Sequence, residues 1–572
     1  MVTTSDTTRA SILVEAVTGL RDAVEASVLP LSTPGQSSGL AVRKELLDQL
    51  DDYVLPRLRS IDAPLLAVVG GSTGAGKSTL VNSIVGARVS RSGVLRPTTT
   101  SPVLVHHPQD ERWFADQRIL PSLARVTGGP GEEGQPGTVR LVGSSTLPAG
   151  MALLDAPDID SVVQANRELA TQLLSAADLW LFVTTAARYA DAVPWDLLRT
   201  AAERGTAVAI VLDRIAPEAV DEIRPHLASM LREQGLPTAP IFTVPESELT
   251  PDGFLPPDSM GRLRAWLDAL ASDSRARAVV VSQTLKGAMG SLTGRTTSLA
   301  QASDEQAAAA QGLTAAARDN YDHATECVKD GMTDGTLLRG EVLARWQEFV
   351  GTGEFFRQIE STLSKWRDKI TASIKGQPAP AEDLGEALQS GVANLLVSHA
   401  SAAAADTARE WRRLPGGDAL LAQHPELAKP SPDFNPRVEA MVRQWQGEVF
   451  DIVRSEGGNR RTNARIAAYG VNAIGLFLML VSFAATGGLT GAEVGIAGGT
   501  SVLAQRVLEA IFGDQAVREM AAKARKSLLD HVETLYAAEQ DRYAVAVATV
   551  GDTAQQSAAL HAAATRVREV NG

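Results

Sequence analysis

Residues 69–79 read VGGSTGAGKST and lie between the apolar run PLLAV and the segment LVNSIVG, which favours a helix. This stretch matches the full Walker A pattern, a glycine-rich loop whose backbone N–H groups turn toward phosphate oxygens. In that role Lys77 reaches the terminal oxygens and the Ser78 hydroxyl is a ligand of Mg²⁺. We therefore predict a nucleotide-binding loop formed by Gly71, Ser72, Thr73, Gly74, Ala75, Gly76, Lys77, Ser78 and Thr79. A glycine turn without a ligand is the alternative.

Two downstream stretches offer the further ligands that a Mg²⁺-bound triphosphate needs. Residues 95–102, LRPTTTSP, form a hydroxyl-rich loop, and a threonine of this loop can close over Mg²⁺ as a switch does. A surface turn is the alternative for this loop. Asp155 ends the apolar run ALLD, and we predict that it is the Walker B acid that holds the water shell of the metal. In this order, the three stretches predict a P-loop NTPase.

Bulk composition limits the class of protein. A chain of 572 residues exceeds the usual size of a single hydrophobic core, so two or more domains are expected. The net charge of -13 disfavours a large nucleic-acid interface, and we expect no DNA partner. The single cysteine, Cys327, excludes a disulfide framework or thiolate cluster within the chain and fits a reducing compartment. The N-terminal residues lack the pattern of a signal peptide, so we expect a cytoplasmic location for most of the chain.

The pattern of apolar residues predicts two kinds of structure. From about residue 62 to 250, short apolar runs alternate with helical segments, which indicates an α/β domain with a mostly parallel sheet and helices on both faces. Antiparallel pairing is plausible for the runs SPVLVHH and TVRLVG. Beyond residue 255 the pattern is helical. We predict N-terminal helices at 1–60, a P-loop domain at 61–255, a helical stalk at 256–465, an apolar hairpin at 466–512 and a C-terminal helix at 513–572.

The apolar hairpin is a candidate membrane site. Residues 466–492 contain no charged side chain across 27 positions, which is long enough for a helix that crosses a bilayer. A second apolar segment ends at residue 512 after a Gly-rich turn, and basic residues flank both segments, as is typical of the cytoplasmic headgroup side. The alternative is a Gly/Ala-rich core hairpin within a soluble helical bundle.

The order of the motifs is similar to that of a known class of GTPases. GxxxxGKST is followed by RPTT, by LLDAPDIDS and by ADLWLFVTTAARYADAVPW. Over residues 60–250 this order resembles the translation-factor-related class of P-loop GTPases. Within that class, the chain resembles the bacterial dynamin-like and Era-like membrane GTPases of actinobacteria. Outside this range the resemblance is one of architecture, including long helices beside the nucleotide domain that would form a neck.

The resemblance implies roles for particular residues and partners. Thr99 would be the switch residue that ligates Mg²⁺, with Thr98 and Thr100 as alternatives, and Asp155 would be the aspartate of the D-x-x-G motif. Lys77 and Thr99 would then be the catalytic residues. The metal ligands would be Ser78, Thr99 and Asp155. The implied ligand is GTP with Mg²⁺, and the implied partners are a lipid membrane at the cytoplasmic face and a second copy of the chain or a related GTPase.

The chain also departs from this family pattern. Asp158 stands where D-x-x-G has its glycine, and a Thr-Gly pair at 73–74 stands where dynamins tend to carry Gln-Ser. Residues 213–216 read DRIA where the base-reading motif is N/T-K-x-D, so the carboxylate that accepts from guanine is missing at the fourth position. Asp213 and Arg214 are the candidate base contacts, and ATP stays an alternative to GTP.

These observations lead to one prediction of function and one alternative. The prediction is a membrane-associated GTPase that binds and slowly hydrolyses GTP to drive conformational change, self-association and membrane remodelling or scaffolding. No catalytic base is identifiable in the sequence. Because positioning and charge stabilisation, often completed by a partner subunit, provide most of the catalysis in such enzymes, we expect hydrolysis that is slow in the protein alone. The alternative is a soluble Era-like regulatory or assembly NTPase that acts on protein or ribonucleoprotein partners.

Overall fold

The structure is a computed structural model of the chain. It describes residues 4–91, 101–116, 119–120, 123–127, 137–161, 164–333, 337, 341–351, 379–456, 471–483 and 497–571. The chain forms two compact units. The first comprises Met1–Leu29, Gly35–Glu305 and Thr553–Gly572, and the second comprises Pro30–Pro34 and Gln306–Asp552. The five domain boundaries proposed from the sequence stay predictions.

The described residues of the first unit form an eight-stranded sheet in the order β3-β4-β2-β5-β1-β6-β7-β8. The strands are β1 (Leu65–Gly71), β2 (Val103–His106), β3 (Ala124–Thr127), β4 (Thr138–Gly143), β5 (Met151–Asp155), β6 (Leu179–Thr185), β7 (Ala207–Ile215) and β8 (Ile241–Pro245). Strand β2 pairs antiparallel with β5, whereas the other pairings are parallel, including that of β2 with β4. The predicted mostly parallel sheet is therefore confirmed. The runs SPVLVHH and TVRLVG, for which the sequence makes antiparallel pairing plausible, pair parallel to each other as β2 and β4, and the antiparallel pairing lies between β2 and β5.

Both faces of this sheet are covered, which explains the continuous apolar runs of its central strands. Successive side chains of a strand point to opposite faces, so Leu66 and Val68 enter one core cluster while Leu65, Ala67 and Val69 enter another. The helices that precede β1 and those that follow it as far as residue 272 belong to the same unit. In chain order the helices up to this point are α1 (Thr4–Ala26), α2 (Gln36–Gln49), α3 (Leu55–Arg59), α4 (Lys77–Val85), α5 (Glu111–Phe114), α6 (Gln164–Ser175), α7 (Ala192–Arg204), α8 (Val220–Glu233), α9 (Gly261–Ser272) and α10 (Ser274–Thr333).

The second unit is helical. Its helices after α10 are α11 (Glu341–Gly351), α12 (Ala379–Trp411), α13 (Gly417–Gln423), α14 (Phe434–Ser455), α15 (Val471–Ser482), α16 (Ala497–Phe512) and α17 (Asp514–Ala548). Large aromatic side chains are fully buried in its core, among them Trp411, Trp445 and Tyr536. The boundary between the two units falls within α10, at residues 305 and 306. The predicted helical region after the nucleotide domain is confirmed.

The last helix of the chain, α18 (Thr553–Asn571), returns to the first unit and packs against α1. Leu560 and Val567 of α18 share an apolar cluster with Val17 and Leu20 of α1 and with Leu292 of α10. The long helix α17 belongs to the helical unit, so the helix that packs against α1 is α18 and not α17, which the resemblance to the GTPase family would place in the neck.

Of the predicted apolar hairpin, the structure describes residues 471–483 and 497–512. Helix α15 packs against α14, α16 and α17. Its residues from Ile474 onward, and Phe483 directly after the helix, are buried in the core of the helical unit. Among the described residues, no helix combines the length and the apolar character that a bilayer crossing requires. The predicted transmembrane helix therefore finds no support, and a membrane-facing hairpin is not seen in this part of the chain.

Candidate nucleotide-binding site

The glycine-rich loop lies between β1 and α4, as the Walker A pattern predicts. Gly71 ends β1 with φ 153°, and a Cβ added there would overlap the carbonyl oxygen of Val183 in β6. Gly76 precedes the helix with φ 92°, in the left-handed region that glycine adopts without strain. Both positions therefore require glycine, and together they bring the loop backbone close to the first turn of α4.

The remaining predicted loop residues lie at the same site. Ser72 and Ala75 are buried, whereas Thr73, Gly74, Ser78 and Thr79 are partly exposed. The N–H of Ala75 donates to the carbonyl oxygen of Ser72 over 3.1 Å, which closes the turn. The hydroxyl of Ser72 is buried and has no hydrogen-bond partner among the described residues.

Lys77 is the central cation of the loop. Its side chain is 5% exposed, and its ammonium group donates to the carbonyl oxygen of Ser72 over 3.1 Å. The same ammonium forms an ion pair with the carboxylate of Asp158, in the loop that follows β5. The position at which relatives carry a glycine is thus occupied here by an acid that contacts the phosphate-binding lysine.

The predicted metal ligands Ser78 and Asp155 are in direct contact. The Ser78 hydroxyl donates to Asp155 Oδ2 over 2.6 Å, and the hydroxyl of Ser90 donates to the same oxygen over 2.5 Å. Asp155 is fully buried, and burial raises the pKa of its carboxyl above the ordinary value. The second carboxylate oxygen, Oδ1, has no hydrogen-bond partner among the described residues.

These two side chains fit a Mg²⁺ site of the P-loop type. Carboxylate and hydroxyl oxygens are the ligands that Mg²⁺ prefers, and it binds proteins through one or two such groups together with phosphates and water. The free Oδ1 of Asp155 leaves an acceptor for the water shell, and a bound divalent cation reverses the preference of a buried carboxyl for its neutral form. The third predicted metal ligand, Thr99, and its neighbours Thr98 and Thr100 lie outside the described residues.

A second acid of the loop after β5 contacts the glycine-rich loop. Asp160 Oδ1 accepts hydrogen bonds from the backbone N–H of Thr73 at 2.5 Å and from the Thr73 hydroxyl at 2.6 Å. Arg188, which follows β6, donates to the carbonyl oxygen of Thr73 over 3.0 Å and lies 3.4 Å from Asp160 Oδ2. Sequence reasoning missed Asp160, Arg188 and Ser90, because no motif links these positions to the glycine-rich loop.

The candidate base contacts lie on the other side of the loop. Asp213 in β7 is 6% exposed, and a Cβ added at Gly76 would overlap its carboxylate. Burial raises the pKa of Asp213 to about 6, although the cation of Arg214 at 3.8 Å acts in the opposite direction. Arg214 adopts φ 54° and donates to the carbonyl oxygen of Gly74. The structure therefore brings both residues to the loop, while Ala216 leaves the fourth motif position without a carboxylate.

The fold and this site define a P-loop NTPase. Residues 66–214 match the family model described as the Dynamin family. Over this segment the predicted resemblance to dynamin-like GTPases is confirmed. The family implies a guanine nucleotide and, typically, Mg²⁺.

Solved structures of bacterial dynamins are also similar to the chain. Two come from work on an oligomerised bacterial dynamin pair in the long-range sensing and tethering of membranes. One is 9% identical, with 99% of this chain and 96% of that chain covered and a TM-score of 0.49. The other is 10% identical, with 96% and 97% covered and a TM-score of 0.44.

A third similar structure is LeoA, a bacterial dynamin GTPase from ETEC. It is 11% identical, 99% of each chain is covered, and the TM-score is 0.24. No curated protein matches the chain. The family similarity of this chain is therefore that of residues 66–214.

Proposed function

We propose that this protein is a membrane-associated dynamin-like GTPase that binds GTP with Mg²⁺, hydrolyses it slowly and uses the cycle for conformational change and self-association. The observation that carries the proposal is the pairing of Ser78 with Asp155 beside Lys77, within a segment that matches the Dynamin family. This arrangement supports binding of a Mg²⁺-bound triphosphate, because it unites a cation for the phosphates with oxygen ligands for the metal.

Each residue of the site has a defined task in this mechanism. Lys77 and the N–H groups of the loop bind the β- and γ-phosphates and orient them. Ser78 and Asp155 would hold Mg²⁺, which neutralises charge on the phosphate oxygens when it is bound. The resemblance to the GTPase family implies that Thr99 would close over the terminal phosphate. Catalysis then comes from positioning and charge stabilisation, which is why we expect slow turnover until a second copy or a related GTPase completes the site.

We propose that the nucleobase of the bound nucleotide is guanine. GTP is the ligand that the family implies, with Asp213 and Arg214 as the base contacts beside Gly74 and Gly76. ATP is the competing ligand because Ala216 supplies no carboxylate for guanine. Titration of the purified protein with GTP and with ATP, each with Mg²⁺, by calorimetry decides between them. At least tenfold tighter binding of GTP is expected, and equal affinities would remove the guanine assignment.

Lys77→Ala tests whether this loop is the nucleotide site. The substitution removes a charge-assisted contact with the phosphates, worth roughly 1.5–3 kcal/mol, and leaves Asp158 without its cation. We expect loss of triphosphate binding in calorimetry. Lys286→Ala on α10, at a site outside the motif, is the matched control. Unchanged GTP titration of the Lys77→Ala protein would refute the assigned pocket.

Membrane association is supported by the uncharged stretch 466–492 and its basic flanks. The proposed location is the cytoplasmic face of the cell membrane, where the protein would remodel or scaffold lipid. Burial of α15 favours a second candidate function, a soluble regulatory or assembly NTPase whose apolar helix belongs to a protein core. The two functions differ in whether lipid is a ligand.

Liposome flotation separates these two functions. Leu476 is buried in the helical unit, so a charge there would damage the fold in either case. Leu489→Asp changes the same uncharged stretch at a position outside the described residues, and Leu249→Asp at an exposed site of the first unit is the matched control. If lipid is a ligand, the Leu489→Asp protein loses flotation on anionic vesicles and the control floats. No flotation of the unmodified protein, with or without GTP, would favour the soluble function.

A further inference from the structure

The phosphate donors of the glycine-rich loop are bonded to carboxylates of the same chain. The Lys77 ammonium pairs with Asp158, and the N–H and hydroxyl of Thr73 both donate to Asp160 Oδ1. Ammonium, backbone N–H and hydroxyl groups at the start of a helix are the donors with which a Walker A loop binds phosphate. Two carboxylates therefore hold the positions that phosphate groups take.

Arg188 belongs to the same set of donors. Its guanidinium lies 3.4 Å from Asp160 Oδ2 and 3.0 Å from the carbonyl oxygen of Thr73. An anion that replaced the Asp160 carboxylate at the Thr73 N–H would therefore lie beside this guanidinium. A guanidinium fork matches the geometry of carboxylate and phosphate alike.

We propose that Asp158 and Asp160 are internal competitors for phosphate and that Arg188 is a further phosphate-contacting residue of the nucleotide complex. The inference rests on the proposed function, because it assumes that the loop binds phosphate groups, and it adds a means of regulating that binding. Nucleotide enters when its phosphates displace the two carboxylates. The loop after β5 is thereby released whenever the site is filled, which links occupancy of the site to movement of residues 156–161.

The acids suit this role because of their place in the chain. Both follow β5 within six residues of the metal-ligand candidate Asp155, and backbone bonds from Ala156 to Val69 (3.2 Å) and from Ile159 to Gly71 (3.5 Å) hold the loop against β1. Asp158 and Asp160 are 18% and 23% exposed, so their carboxylates have access to solvent when they leave the donors. Lys77, at 5% exposed, needs an anionic partner in either state, because an unpaired buried charge is costly.

Pyrophosphate tests the inference without a contribution from the nucleobase, because it contains only the phosphate groups. Calorimetric titration of the full chain with magnesium pyrophosphate compares the unmodified protein with Asp158→Asn and Asp160→Asn. Each substitution removes a competing charge, and we expect each to tighten binding roughly tenfold. The matched control is Asp196→Asn on α7, which removes an acid that pairs with the exposed Arg199 and should leave affinity unchanged.

Arg188 is tested in the Asp160→Asn variant. In that variant residue 160 carries no charge, so removing Arg188 cannot change phosphate binding by releasing the Asp160 carboxylate from an ion pair. Adding Arg188→Gln to that variant should weaken pyrophosphate binding roughly tenfold, and Arg188→Lys should weaken it less. Arg199→Gln is the matched control. Hydrogen exchange on the unmodified protein gives a reading that needs no variant: pyrophosphate should increase exchange at residues 156–161.

The outcomes are distinct. If the unmodified protein binds pyrophosphate and GTP, but Asp158→Asn and Asp160→Asn bind no tighter and exchange at 156–161 does not rise, the inference is wrong and the proposed function stands. If affinity of the Asp160→Asn protein is the same with and without Arg188, that arginine makes no phosphate contact. If neither ligand binds any of these proteins, the proposed function fails and the inference with it.

Discussion

The hydroxyl of Ser78 donates to Asp155 Oδ2 over 2.6 Å, which joins the first turn of α4 to the end of β5. Two elements that are far apart in sequence thus present their oxygens at one point beside Lys77. Because β1 lies between β5 and β6 in the sheet, the loop that follows β1 lies next to the carboxyl ends of both neighbouring strands. This strand order places the candidate nucleotide site at the carboxyl ends of neighbouring strands, as is general for ligand sites in open α/β sheets.

Ser78→Ala tests the metal site. The substitution removes one proposed Mg²⁺ ligand and leaves the cation of Lys77 in place. We therefore expect GDP affinity to fall roughly tenfold in the presence of Mg²⁺ and to change little in EDTA. Calorimetry under both conditions measures the difference. Ser298→Ala, which removes an exposed hydroxyl that bonds only within its own helix α10 in the described structure, is the control and should change neither value.

Thr99→Ala tests the proposed lid. If Thr99 contacts the metal and the terminal phosphate, the variant should bind GDP nearly normally and lose GTP turnover by roughly a hundredfold. Phosphate release and GDP calorimetry measure the two quantities. Thr98→Ala and Thr100→Ala are the matched controls in the same loop. Full turnover in the Thr99→Ala protein with loss in one neighbour would transfer the role to that neighbour.

The nucleotide domain was largely predictable because its central strands are buried on both faces. Burial on both faces selects continuous apolar runs, which is why the runs PLLAV, ALLD and LWLFV predict β1, β5 and β6 and place the glycine-rich loop between a strand and a helix. The sequence pattern does not predict strand β3, Ala124–Thr127. It lies at the edge of the sheet and is largely exposed, so its residues carry no apolar pattern.

The site was predictable only where its residues are contiguous in sequence or follow a known motif. Ser90, Asp160 and Arg188 reach the glycine-rich loop from three separate segments, and their contacts depend on strand order. The apolar stretch 466–492 shows a second reason why sequence does not determine structure here. A lipid-facing helix and a buried core helix select the same apolar residues, and the packing of α15 against its neighbours is decided by the tertiary fold.

Arg57→Met tests the buried ion pair that supports β1. Arg57 of α3 pairs with Asp178, which is fully buried and accepts from the backbone N–H of Leu66 at 2.8 Å. Removing one partner leaves an uncompensated charge, so the unfolding free energy should fall by about 3–5 kcal/mol. Differential scanning calorimetry measures the change. The exposed pair of Arg199 and Asp196 gives the control, Arg199→Met, for which a change within about 1 kcal/mol is expected. A loss no larger than that of the control would contradict a supporting role for the buried pair.

Asp52 is a buried acid without a neighbouring cation at ion-pair distance in the described structure. It accepts a 2.8 Å hydrogen bond from Gln172, and burial raises its pKa to about 6, with a further contribution from Asp48 and Asp51. An acid whose pKa is higher in the folded protein than in the unfolded chain binds more protons when folded between pH 3.8 and about 6. Stability from this group therefore falls as the pH rises through that window, and the penalty is complete above it.

Asp52→Asn should remove this penalty, because asparagine keeps an oxygen acceptor for Gln172 and carries no charge. We expect the variant to be more stable than the unmodified protein by about 1–3 kcal/mol above pH 6.5 and to lose most of that advantage near pH 4. Scanning calorimetry at several pH values measures the difference. Asp196→Asn, at an exposed site, should leave the unfolding temperature almost unchanged. The Asp52→Asn variant and the unmodified protein could instead differ in unfolding free energy by the same amount from pH 4 to above pH 6.5. That result would show that the Asp52 carboxyl does not titrate as its burial requires.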